Sequence, residues 1–169
     1  LGVVNIADKA DGAALGIVNI IGDGIFEPSI WGSDLSPFNV GLKSGTKHFY
    51  TLIGFGLNEW SDKGYYSTIF GLGGRIYLGP VFLDLDIVSQ ELNDTWSYKK
   101  DGIDQVATLR ATVGYRPWSW ISFFAGPTLN CLISDKRGSI GLDSVIWETT
   151  QDDVNVVFSP GFSAGVQFE

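Results

Sequence analysis

The sequence predicts an all-β fold, an antiparallel up-and-down barrel of about eight strands, and three observations predict it. First, Val154 to Glu169 alternates strictly. Val154, Val156, Phe158, Pro160, Phe162, Ala164, Val166 and Phe168 fall on one side, with Asn155, Val157, Ser159, Gly161, Ser163, Gly165, Gln167 and Glu169 on the other. A period of two is that of a strand, and this run exceeds the usual five or six residues. Second, similar alternating segments follow one another, with faces rich in Gly, Ser and Thr opposed to faces almost free of charge. Third, the connections alternate between tight turns and longer polar loops, as in barrels that cross a membrane.

The elements follow in order. Gly2-Val3-Val4-Asn5-Ile6 recurs as Gly16-Ile17-Val18-Asn19-Ile20, a repeat of 14 residues within residues 1–21. That period is short for the common helical solenoids. It suits a strand of about ten residues plus a turn at Asp8–Asp11, with Leu1 to Ala7 ending one strand and Gly12 to Ile21 forming the next. Gly22–Pro37, rich in Gly, Pro and Ser, is expected to be a loop. Phe38–Lys43 alternates weakly. His48–Asn58, Tyr65–Leu78, Val81–Val88, Asp104–Arg116, Ser119–Ser134 and the closing Val154–Glu169 alternate clearly. Lys43–Lys47, Gly79-Pro80 and Arg116–Ser119 are the tight turns; Ser61–Gly64, Leu92–Gly102 and Asp135–Asp153 join the loop end. Counting from Gly12 gives eight strands, and ten if the first segment also pairs. The chain is expected to be one barrel domain over 1–169, with 1–21 the possible tail of a longer repeat region.

A soluble carrier barrel shares this periodicity but lines its cavity with oil and turns charge to water, whereas a membrane barrel does the reverse. Here the apolar faces lack charge, and the small polar faces suit a crowded interior of eight strands. Phe158, Phe162, Phe168, Phe123, Leu109 and Leu83 are therefore expected to face lipid. Tyr115, Trp118 and Trp120 at one turn, with Trp60 and Tyr66 at one loop, suit the membrane–water interface.

On this pattern over Gly12–Glu169, the chain resembles the small OmpA/OmpX-like outer-membrane barrels. The closing strand with a terminal aromatic is a familiar element, although Phe168 is followed here by Glu169. The first 21 residues are similar to the G-L-[VI]-N-I-A units of bacterial surface-repeat proteins. These resemblances imply an integral protein of a bacterial outer membrane, with lipid as its first partner.

The net charge of −8 and scattered basic residues exclude nucleic-acid binding as a leading function. No Met occurs, as expected of a processed product, and a single Cys131 excludes an internal disulfide. Cys131 lies among apolar neighbours and is expected to act as a small hydrophobe.

The strongest constellation is a charge cluster. If Gly79-Pro80 is a two-residue hairpin loop, Arg75 pairs with Asp84, and Gly73 with Asp86, leaving room beside it. Arg110 lies at a similar height. Arg75, Asp84, Asp86 and Arg110 are expected to form an interior network of interleaved signs that plugs the barrel, or lines a narrow gated ion path. The small face of the closing strand would leave space for it. His48 is the sole histidine, with no Ser on its face, so a lipid-modifying enzyme is disfavoured. No cofactor or metal site is expected. Gly71–Gly74 opens no helix and is not a phosphate loop. Trp96, Tyr98 and Trp147 make loops 92–102 and 135–153 candidates for a protein partner. The expectation is a non-enzymatic barrel with a structural or surface-interaction role, a subunit of a larger envelope complex being one form of it. A gated pore, a lipid-modifying enzyme and a soluble carrier are the alternatives.

Overall fold

The computed structural model describes residues 2–8, 16–58, 65–94, 104–134, 145–151 and 154–169. Among them run β1 (Gly2–Ala7), β2 (Gly16–Ile21), β3 (Ile25–Ser33), β4 (Phe38–Gly45), β5 (Phe49–Asn58) and β6 (Tyr65–Leu78). Then follow β7 (Val81–Asp94), β8 (Asp104–Trp118), β9 (Ile121–Ser134), β10 (Trp147–Gln151) and β11 (Val154–Phe168).

Strands β3 to β9 pair antiparallel in sequence order, and β11 closes the sheet between β9 and β3. The barrel therefore has eight strands, as expected, but its first strand is not the expected one. Gly22–Pro37 is not a loop: β3 lies within it, alternating buried Ile25, Glu27, Ser29 and Trp31 with exposed Phe26, Pro28 and Ile30. Pro28 is tolerated because the β11 ladder reaches only to Ser29. The described end of the expected Gly12–Ile21 strand, β2, lies outside the barrel.

Following paired residues once around, Gly165 leads through Trp31, Asn39, Gly56, Ser67, Leu92, Asp104 and Ser134 to Asn155. The path returns ten residues away on the same strand. Such a stagger tilts the strands by about 40° and leaves a lumen that side chains can fill.

The 14-residue repeat is not a hairpin. β1 and β2 pair in parallel, with Gly2 opposite Gly16 and Asn5 opposite Asn19. Each repeat is thus one coil, and the Asn5 amide donates to the Asn19 carbonyl oxygen at 2.8 Å. The coil seats on the outer wall near the turn end. Ser44 and Thr51 alternate away from the lumen-facing Lys43 and Tyr50, yet both are buried. The Asn19 backbone N–H donates to Ser44 Oγ, its amide to Thr51 Oγ1, and Thr51 Oγ1 to the Ile17 carbonyl.

The expected register at Gly79-Pro80 holds: Leu78 pairs with Val81 and Arg75 with Asp84. Gly79 has a φ of 71°, and the fixed negative φ of Pro80 follows, a sequence of signs that suits a type II′ hairpin. Several strands exceed their expected bounds. β7 runs to Asp94, inside the expected 92–102 loop, β8 runs to Trp118, and β10 lies inside the expected 135–153 loop.

Candidate functional site: a charged lumen

The four expected lumen residues are brought together and buried. Arg75 donates from Nε and Nη2 to the two Asp84 oxygens at 2.7 and 2.8 Å. Its Nη1 reaches both oxygens of Glu27 at 2.7 and 2.9 Å. Arg110 Nε donates to Asp86 Oδ2 at 2.7 Å. The planar, forked Arg75–Asp84 pair is the strong form of the interaction.

Sequence reasoning missed half of the cluster. Lys43 Nζ bonds Asp84 Oδ2 at 2.6 Å, and the Tyr50 hydroxyl donates to Asp86 Oδ1. Gln167 Oε1 accepts from Lys43 and Arg75 at 3.3 Å. Glu27 was hidden in the expected loop. Its signal was the alternation of Ile25, Glu27, Ser29 and Trp31 through that stretch. The cluster holds Lys43, Arg75 and Arg110 against Glu27, Asp84 and Asp86, so its formal charges cancel.

Aromatic rings pack the cluster. The Arg75 guanidinium lies 4.0 Å from the centre of the Phe82 ring, and Arg110 lies 5.5 Å from Trp31. Glycines admit these bulky groups. A Cβ on Gly114 would lie 1.9 Å from the Phe82 ring, and one on Gly73 would lie 2.2 Å from Asp86 and 2.5 Å from Tyr50. The room expected beside Gly73 is therefore filled. The small face of β11 does not simply make space for the charges, either. Asp34 occupies the place beside Gly161, and Trp31 that beside Gly165.

Asp34 belongs to the β3–β4 tip, residues 34–37, which folds over the loop-side lumen. Its carboxylate accepts from Asn130 Nδ2 at 2.7 Å, Thr128 Oγ1 at 3.3 Å and the Phe162 backbone N–H at 3.2 Å. Next to it Leu35 packs with Val106, Leu132 and Val157. Between tip and charge cluster lies a cavity of about 20 Å³, lined by Trp31, Ile69, Val88, Arg110, Asn130 and Ser163 among others. At the turn end, an open cleft of about 430 Å³ reaches Glu27 between Phe26, Lys47, Tyr77 and Arg116.

The expected lipid-facing side chains stand on the outer wall. Phe162, Phe168, Phe123, Leu109 and Leu83 are exposed, and Phe158 is half-buried against Trp147. Tyr115, Trp118 and Trp120 are exposed at the turn end, the two tryptophans stacked with centres 6.4 Å apart. Tyr66 stacks on Phe55 at 5.9 Å toward the loop end. Trp60, Trp96 and Tyr98 lie outside the described residues. His48 sits on the turn-end rim with Nδ1 3.1 Å from the Arg75 carbonyl oxygen. Cys131 is half-buried on the outer face of β9.

No known family, curated protein or solved structure matches this chain, so function rests on the site itself.

Proposed function

We propose that the protein is an integral barrel of a bacterial outer membrane, non-enzymatic, with its lumen closed to ions and a structural or surface-interaction role. One observation carries this reading: the barrel is dressed inside out. Ile87, Ile76 and Leu85 are 67, 61 and 57% exposed on the wall, while Lys43, Arg75 and Asp86 are at most 1% exposed within. In water a continuous apolar wall far exceeds the few hundred Å² that soluble monomers leave uncovered. In lipid the same wall is the favoured surface, and the charges are removed from lipid by pairing in the lumen.

A soluble carrier of an apolar ligand finds little support among the described residues, where the lumen cavity beside Arg110 and Asn130 is about 20 Å³ and polar-lined, room for roughly one water. A gated pore has one observation in its favour, the cleft that leads from the turn end to Glu27. Cloud-point detergent partition tests the main reading: the protein is expected in the detergent phase, and recovery from the aqueous phase would overturn it. Planar-bilayer recording then separates plug from pore. Silence is expected, and steady conductance would favour the pore.

A further inference from the structure

We infer that β10, with Val145 and Ile146 before it, is a foot that rests in the lipid headgroup–acyl boundary at the loop end of the barrel. The inference rests on the membrane reading above and concerns a strand outside the eight-stranded wall. β10 pairs with β11 above the point where β3 leaves it: Trp147 to Gln151 face Phe158 to Val154, whereas β3 takes Ser163 to Gln167.

Its orientation follows from that register. Trp147 lies directly opposite Phe158, so both project from the outer face, and their ring centres are 5.7 Å apart. Glu148 projects to the other face, where it accepts from the Asn155 amide at 2.9 Å. Val145, Ile146 and Trp147 are 50, 65 and 50% exposed, an uninterrupted apolar run at the base of the segment. The Ile146 N–H donates to the Phe158 carbonyl at 2.8 Å, so the run is tied to the wall.

Height identifies what covers this run. Phe168, beside Trp118 and Trp120, marks the turn-end aromatic girdle. Phe158 is ten residues further along β11. Ten residues at about 3.3 Å each, tilted by about 40°, rise about 25 Å along the barrel axis. That is the height of the apolar band of an outer-membrane barrel, about 25 Å between two aromatic girdles. Trp147 therefore stands at the second girdle. A ring with an apolar body and an N–H tip suits the boundary between headgroups and acyl chains. Among the described residues β10 has no neighbour but β11, so a strand of another protein could add to its outer edge. The continuity of Trp147 with the outer wall favours lipid.

The test uses the full chain with Cys131→Ala and a single new cysteine carrying an environment-sensitive fluorophore, at Val145→Cys or at Ile87→Cys. Both positions are exposed, and heat-modifiable gel migration reports a closed barrel in each. The proteins are refolded into phosphatidylcholine vesicles containing lipids brominated either near the headgroup or near the chain ends. The expected result is quenching of the Val145 label mainly by the shallow bromines and of the Ile87 label by the deep ones. Quenching of the Ile87 label with an aqueous, unquenched Val145 label would overturn the foot and leave the membrane barrel standing. Absence of quenching at both positions would overturn the membrane reading and the foot with it.

Discussion

Asp84 is the residue on which the lumen turns. It takes two bonds from Arg75 and one from Lys43. Replacing it with Asn keeps the size but leaves two buried cations facing one carboxylate fewer. Removing one partner of a buried pair costs about 3–5 kcal/mol, so D84N should lower the denaturation midpoint of the refolded barrel strongly. Glu27→Gln should cost less, because Arg75 keeps its forked bond to Asp84. Equal midpoints for D84N and the wild type would show that the network is not a source of stability. Gly161 makes a different point. A Cβ there would lie 2.1 Å from Asp34 Oδ1, so G161A should expel the Asp34 carboxylate from its bonds to Asn130 and Phe162. The expected sign is faster hydrogen exchange at the Phe162 amide, with a stability loss of about 1–3 kcal/mol.

At the scale of elements, β1 and β2 are attached to the wall chiefly through Asn19. Asn19→Ala removes the bond its amide donates to Thr51 Oγ1 and the one its side-chain oxygen accepts from Asn5, and should cost about 1–3 kcal/mol of local stability. Exchange should rise at the Val18 and Ile20 amides while the unfolding midpoint of the barrel stays unchanged. A lowered midpoint would show instead that the coil supports the barrel. These elements also show where the sequence was legible. The Gly79-Pro80 turn fixed the β6–β7 register because loop length and turn geometry leave one pairing. That pairing puts Arg75 opposite Asp84 from the turn alone. β3 was hidden because Pro28, Gly32 and two serines resemble loop composition, although every second residue from Ile25 to Trp31 is buried. Lys43 was in plain sight, but its partner lies across the lumen on β7. Such a contact depends on the stagger of all eight strands, which no single hairpin reveals. The parallel pairing of the repeat was equally beyond reach, because a 14-residue period fits a hairpin or a coil.

For the whole molecule, the charge cluster separates the turn-end cleft from the small inner cavity. Removing Arg75 and Asp84 together deletes one opposite-signed pair and leaves the formal balance intact. R75A/D84A also leaves Lys43 and Glu27 without those partners, and on the plug reading proposed above it should open the lumen and show conductance steps in planar bilayers where a silent wild type is expected. A silent double variant would place the seal elsewhere, at the Asp34–Leu35 tip. The division of labour along β11 has a further consequence, for the order of events as the barrel forms. β11 shares fourteen paired residues with β9 but five with β3. The first joint links strands close in the chain, whereas the second joins Ser29–Ser33 to Ser163–Gln167 from opposite ends of it. Local joints form before distant ones. The curved sheet from β4 through β11 can therefore zip up first, with β3 arriving as the final stave. Under pulling or thermal stress the same short joint is the line along which the cylinder would unroll, and Asp34, bonded to the Phe162 amide just beyond it, is the rivet at its end.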